Sequence, residues 1–545
     1  MKTPDLVVSH SNGELSAGFL SDTKRRIEAA VVPAMEHIYG HGEPGFSEEF
    51  RPGLKRIEKV VSFYDYWACG ISVLAPLALS GSQPAQRLLQ ILQNNMEHYG
   101  REVHGHVVEG HGVWMVPLRR LLLHIALAYR VLEHGLADEA RKRFRDLVEQ
   151  QVPLAIACCG QFHPERADLY LAGVNNHTAI FMQGIWYCGQ VFDRPDWSRL
   201  ASEFAGRYYA SGHPDGYFEE HTNAEREGGP SLVYTTLTAG SLYDVLDGQN
   251  QPRQKFVKAG DFFRAFLNHR REMIPIADER TNANGAFACY GLALHSLTSR
   301  GRAFIRESLE QMDYAAASPE TLAVVYHEID LMQTGPTEMP EYCSDGACRI
   351  KLPLGVVRGH GFTAGLSALR ALNRTMASKS DYALDQQDMV YLSHCDAGVI
   401  LTGFKSKLDP EYSTFRIGDD GYTVRTGALV IGEAWAEATL YYETFTGTLR
   451  WDLGLQARLT LRVDTDRPVI TTLPATRAAA VCSAVPVEVV SLKGFSPYSM
   501  GNTSPEVPAL QFRWEKELVL EFAAPDCCSQ GIASESKFAK ASPPG

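Results

Sequence analysis

The chain has 545 residues, of which 45% are hydrophobic and 21% charged, with a formal net charge of −12. That length exceeds what one hydrophobic core serves, so two or three domains are expected. The acidic balance and the absence of a dense basic cluster exclude the nucleic-acid-binding classes, and no apolar run reaches the ~18–20 residues of a membrane span.

The opening Met1-Lys2-Thr3-Pro4-Asp5-Leu6 has no positively charged segment ahead of an apolar core, so no secretory signal is read there. The 11 cysteines are odd in number and have no metal-finger spacing, and Cys158-Cys159 and Cys527-Cys528 are adjacent pairs. Adjacent cysteines suit reduced thiols better than a bridge framework, and a cytoplasmic location is the simplest expectation.

From about residue 20 to 320 the pattern is helical. Leu118, Leu121, Leu122, Ile125, Tyr129 and Leu132 recur at three- and four-residue steps, and 147–156, 180–191, 232–246 and 256–268 continue in that style. His213-Pro214-Asp215-Gly216 reads as a linker. So many helical hairpins in one domain indicate a solenoid or an (α/α) toroid. Several residues in this half could meet a ligand. Tyr64, Tyr66 and Trp67 could stack on sugar rings or simply pack. His104, His106, Glu109 and His111 sit in a Gly-rich loop before Trp114; that loop could border a cleft, and a structural divalent metal is compatible with the set. Arg119 and Arg120 head a helix and could meet an anion, or stand as plain solvated charges.

The most informative pair follows. Asn175-Asn176-His177-Thr178 opens one apolar helix, and Tyr234, after the break Gly228-Gly229-Pro230-Ser231, stands in the first turn of another 57 positions later. Taken alone, each has a plain structural explanation: a capped helix with a surface imidazole, and a tyrosine packed in a core. Helix starts, however, leave N–H groups outward, where polar ligands gather. A histidine and a tyrosine at two such mouths can take a proton from a sugar carbon and return one to a glycosidic oxygen. An amide beside the histidine can bind a carboxylate and make the carbon more acidic.

Near Met339-Pro340 the period changes from 3.6 to 2. Leu455, Ala457, Leu459, Leu461 and Val463 oppose Gln456, Arg458, Thr460 and Arg462; Phe512, Trp514, Leu518, Leu520 and Phe522 alternate with polar residues, with Lys516 on the apolar side. Asp419-Asp420-Gly421 is a turn signal. This is a half-buried antiparallel sheet or sandwich. The expected organisation is therefore an (α/α) incomplete toroid over 1–335, ending near 330, an antiparallel β-sandwich over 336–525, beginning near 345, and a flexible tail over 526–545. Two histidines of the second half compete for a supporting role: His394 in Ser393-His394-Cys395-Asp396-Ala397-Gly398, and His360 in Arg358-Gly359-His360-Gly361, where glycines admit close ligand approach.

With these stretches in place, the chain resembles the heparinase II/III and oligoalginate lyase group of polysaccharide lyases. The resemblance implies β-elimination on uronic-acid-containing glycans with no redox cofactor. It implies Asn176 as the neutraliser of the carboxylate, His177 and Tyr234 as base and acid, and a sandwich histidine, His394 ahead of His360, completing the site. Asn175, His360, Arg119, Trp114 and Tyr66 are the expected substrate contacts. The sandwich motif departs from the group's pattern, which is richer in histidine and aspartate. The negative global field favours short acidic oligosaccharides, and a homodimer is compatible with the sequence. The alternatives are a toroid glycoside hydrolase, for which Glu219, Glu220, Glu225 and Glu227 supply carboxylates, a uronate epimerase, and a non-catalytic carbohydrate-binding protein.

Overall fold

A computed structural model describes residues 13–39, 69–93, 118–161, 176–218, 232–246, 253–277, 291–369, 390–402, 414–417, 420–421, 424–475, 481–493 and 506–523. The chain divides into two compact units. The first comprises residues up to Leu267, with Arg271–Met273 and Ala277–Ser344; the second comprises Asn268–Arg270, Ile274–Ile276 and everything from Asp345.

The first unit is helical. Its described helices are α1 (Ala17–Tyr39), α2 (Ile71–Leu79), α3 (Leu118–Leu132), α4 (Asp138–Gln161), α5 (Asn176–Val191), α6 (Pro195–Ser211), α7 (Leu232–Leu246), α8 (Gln254–Ala265), α9 (Leu292–His295), α10 (Ser299–Gln311) and α11 (Pro319–Ile329). Local chemistry sets several starts. Ser318 and Thr298 cap α11 and α10 by accepting from the N–H of Thr321 and Gly301, and Pro195 opens α6. Packing then runs in a circuit: α2 on α3, α3 on α5, α5 on α7, α7 on α9, α9 on α11, and α11 back on α2. The helices α4, α6, α8 and α10 lie against this inner set, the layering of an α/α toroid. A two-residue strand pair, β1 (Glu14–Leu15) with β2 (Gly335–Pro336), ties the two ends of the unit together.

An inner helix has neighbours on every side, so a single apolar stripe does not describe it. Buried positions fall on every face of α7, Thr235, Thr236, Thr238 and Asp244 among them. Two glycines make its closest contact. A Cβ on Gly240 would stand 2.5 Å from the Cα of Gly291, and one on Gly291, whose φ is 75°, would stand 2.3 Å from the Thr236 carbonyl oxygen.

The second unit is a β-sandwich whose paired strands are all antiparallel. One sheet has the order β3 (Gly346–Arg349), β4 (Leu354–Gly359), β5 (Phe362–Ser367), β6 (Val390–His394), β7 (Gly398–Thr402). A bridge between Leu401 and Ala475 continues this layer toward a second sheet. That sheet holds β8 (Arg416–Ile417), β9 (Asp420–Gly421), β14 (Val469–Pro474), β16 (Val487–Lys493) and β17 (Glu506–Trp514). The third sheet holds β10 (Thr426–Ile431), β11 (Trp435–Tyr441), β12 (Thr446–Leu453), β13 (Gln456–Val463), β15 (Val481–Ser483) and β18 (Glu517–Ala523). Inward residues of all three, from Val357 and Phe362 through Trp451 to Phe512 and Phe522, make one core.

Two readings of the alternation are corrected. Leu455 is 79% exposed, because Gly454-Leu455 is the two-residue turn between β12 and β13 rather than the first inward position of a strand. Lys516 does not share the apolar face: it is exposed, in a left-handed conformation with φ 57°, at the corner where the chain passes from one sheet to another. Phe512 and Trp514 therefore enter the core from β17, and Leu518, Leu520 and Phe522 from β18 in the opposite sheet.

Candidate active site

Helix α5 begins at Asn176, so Asn176 and His177 are its first two residues; Asn175, Trp114 and Tyr66 lie outside the described residues, as does the 104–111 histidine loop. Arg119 is the second residue of α3. Tyr234 is the third residue of α7 and is 7% exposed, in a cluster with Ile180 and Leu237. Arg120 is neither a solvated charge nor a sugar contact: it is buried and ion-paired with the buried Glu320 of α11.

Contacts between α5 and α7 fix their direction and register. Ile180 clusters with Leu237, and two turns further on the Tyr187 hydroxyl donates to Asp244 Oδ1 at 2.7 Å. Both pairs are 57 positions apart, so the helices run parallel. His177 and Tyr234 are separated by the same 57 positions. Each stands ten residues, about 15 Å at 1.5 Å per residue, N-terminal to the Tyr187–Asp244 bond, at one level of two adjacent inner helices.

Below that level lies a buried polar cluster. Asp244 Oδ2 accepts from Gln183 Nε2 at 2.6 Å and from His327 Nε2 at 2.8 Å. Burial works to raise the pKa of Asp244, but the His327 charge and the three donors outweigh it and hold the carboxyl below its usual range. Burial opposes the His327 charge in turn, and Asp244 more than restores it, so this histidine titrates above its ordinary value. His124 of α3, hydrogen-bonded to Ser72 at 2.8 Å, is driven well down by burial, then by His327 and Arg120, and stays neutral. Glu328 accepts from the N–H groups of Gly291 and Ala293, at 2.6 and 2.9 Å, and so holds the start of α9. Burial still pushes its carboxyl up to about 7.

That last shift makes a prediction. A carboxyl whose folded pKa exceeds its unfolded value contributes stability that is complete below the unfolded pKa of 4.5 and lost as pH rises through about 7. The difference corresponds to about 3 kcal/mol. His327 acts in the same sense, whereas Asp244, His124 and His295 act in the opposite one, losing stability as pH falls. The comparison with Glu328→Gln isolates the one group. Melting temperature between roughly pH 5 and pH 8 should fall more steeply in the wild type than in the variant; equal slopes would show that Glu328 does not titrate there.

In the second unit, His394 ends β6 and is 6% exposed, paired across the sheet with Phe362, whose ring meets it edge-on at 4.7 Å. Its Nδ1 accepts from the Asp396 N–H at 3.2 Å, which leaves the proton on Nε2. His360 is exposed, with φ 54°, in the turn between β4 and β5. The next residue, Gly361, has φ 81°, and a Cβ there would come within 3.0 Å of His394 Nε2 and 2.9 Å of Cys395 Sγ. The glycine thus lets His394 and Cys395 lie against the turn. Sequence reasoning had not singled out His269, which bonds Thr363 at 2.9 Å. Burial, then the Arg358 charge, lower its pKa to about 4. Nor had it singled out Arg270, whose guanidinium donates to the carbonyls of Cys395 and Asp396. Their signal was the polar run Asn268-His269-Arg270 directly after an apolar helix. Ligand atoms of His394, Cys395 and Asp396 lie within 4.8 Å of one another. They fit a metal poorly as they stand: Nδ1 of His394 is already engaged, the thiol bonds Asp396, and a closed tetrahedral site needs a fourth ligand.

No family model and no curated protein matches the chain. Solved structures do. A chondroitin AC lyase of Streptomyces coelicolor, solved with chondroitin sulphate, superposes with a TM-score of 0.59 at 13% identity, over 94% of this chain and 80% of that one. A heparinase III gives a TM-score of 0.51 at 9% identity, over 96% and 86%. The chain shares the fold of these two proteins. Toroid and sandwich are both within the match, since nearly the whole chain is covered.

Proposed function

We propose that the protein is a polysaccharide lyase that cleaves uronic-acid-containing glycans by β-elimination. The observation that carries this reading is the equal level of His177 and Tyr234 on parallel inner helices, in a chain with a polysaccharide-lyase fold. The compared structures are named a chondroitin AC lyase and a heparinase III, which supports an acidic glycan as the substrate class.

Elimination requires three things of the site. The carboxylate must be neutralised, or the C5 proton is too weakly acidic; Asn176, beside the base, donates hydrogen bonds that strengthen as charge builds. A base must take the C5 proton, and His177 is assigned that role because an imidazole ordinarily titrates near the pH that general-base work prefers. An acid must protonate the leaving oxygen at C4, and Tyr234 fills that role; it also serves as the base where proton and leaving group share a face. His394 is the supporting histidine, and Asn175, Arg119, Trp114, Tyr66 and His360 are the substrate contacts. No redox cofactor enters these steps.

The product of such a reaction carries a conjugated C4–C5 double bond. Incubation with chondroitin, heparan and alginate polymers and their oligomers should give a rise in near-ultraviolet absorbance with at least one of them, faster with the oligomers. Chain cleavage without that absorbance would identify a hydrolase, and a change of C5 configuration without cleavage an epimerase.

A further inference from the structure

We infer that Asp244 is a positioning residue for the proton transfers, fixing the register in which His177 and Tyr234 stand level. The inference rests on the lyase reading above. Asp244 lies about 15 Å along α7 from Tyr234, so it touches neither reacting atom. What it touches is α5, on two successive turns: Gln183 donates to one carboxylate oxygen and Tyr187 to the other. His327 of α11 donates to the same carboxylate and keeps it ionised, and a charged acceptor makes the stronger hydrogen bonds.

Near the top of this interface Ile180 and Leu237 form an apolar cluster with Tyr234. Apolar burial is non-directional and tolerates a slide of one helix along the other. A bidentate pair of bonds at 2.6 and 2.7 Å does not. The tolerance needed is small: proton transfer works within ~2.6–3.2 Å, and a misplacement of about 1 Å can cost about a hundredfold in rate. Two helices that must hold an acid and a base level to that accuracy need a directional lock, and the bonds to Asp244 supply one between α5 and α7. Glu320 and Glu328 of α11, Asp330 just after it, and Arg120, His124 and Arg130 of α3 are further charged and titratable groups around it.

The test is a double-mutant cycle on the full chain, read as unsaturated-product formation, with kcat and KM measured separately. Tyr187→Phe keeps the ring and removes one donor to Asp244. It should lower kcat by about tenfold and leave KM within about twofold, since ground-state binding is not what the lock serves. In the Tyr234→Phe background the same change should lower kcat by less than about twofold, because a residue that acts by placing the tyrosine hydroxyl has nothing left to place. Gln183→Leu removes the other donor and is read in the same way if Tyr187→Phe does not fold. An unchanged kcat in Tyr187→Phe overturns the inference, and so does an equal loss in both backgrounds, which a merely structural role would give. If Tyr234→Phe itself keeps full activity, the acid–base assignment falls and the inference falls with it; that outcome is distinct, because it appears in the single variant that leaves the Asp244 cluster intact.

Discussion

Tyr234→Phe is expected to cut the rate of unsaturated-product formation by about a hundredfold or more while leaving the fold in place. The residue is 7% exposed and clusters with Ile180 and Leu237, and phenylalanine keeps the ring. Only the hydroxyl is lost, and losing a positioned acid–base group costs typically ~10²–10⁴ in rate. A hundredfold is about 2.7 kcal/mol of transition-state stabilisation, far more than an alteration of packing by one oxygen atom would bring. The loss should fall on kcat, with KM little changed, because the leaving oxygen demands its proton only as the bond breaks. Circular dichroism and melting temperature should match the wild type closely. A variant that forms product at near wild-type rate would reduce Tyr234 to a packing residue and remove the central member of the proposed site.

The parts of this molecule that follow from local periodicity were readable from residues alone. The stripe of Leu118, Leu122, Ile125 and Leu132 is α3, and the run from Leu232 to Leu246 is α7. The change of period near Met339 precedes β3 by a few residues. What failed were the positions where geometry is set by a partner far along the chain. Leu455 and Lys516 look like strand residues because alternation continues through them, and only pairing reveals that each sits in a turn. Arg120 looks like an exposed charge at a helix start because its partner Glu320 is 200 positions away. Asp244 and His327 were not singled out from the sequence, because nothing local shows that two polar residues 83 positions apart satisfy one another inside the helical unit. The spacing of His177 and Tyr234 was visible from the start; its meaning was not. The same spacing separates Tyr187 from Asp244, whose bond shows which levels of the two helices face each other.

The buried ion pair carries the largest expected effect on stability. Arg120→Met leaves the Glu320 carboxyl, 4% exposed, in the interior of the ring without its cation. Removing one partner of a buried pair costs about 3–5 kcal/mol, because the remaining charge must stay desolvated or take up a proton. Glu320 stands in the first turn of α11, where the helix dipole helps a carboxylate, but that assistance is typically ~0.3–1 kcal/mol and does not replace a guanidinium. The cost should shrink as pH falls and Glu320 protonates. A second change follows from the same charge: Arg120 helps to keep His124 neutral, so in the variant His124 takes up a proton more readily. Urea denaturation should show this in the unfolding of the helical unit, with the transition of the β-sandwich unmoved, since a chain of two units need not unfold in one step. Arg120→Met combined with Glu320→Leu should recover much of the loss, because two apolar side chains of matching size are often as good as a buried pair. A single variant as stable as the wild type near neutral pH would mean that Glu320 reaches water or another cation, and that α3 and α11 are held together by packing alone.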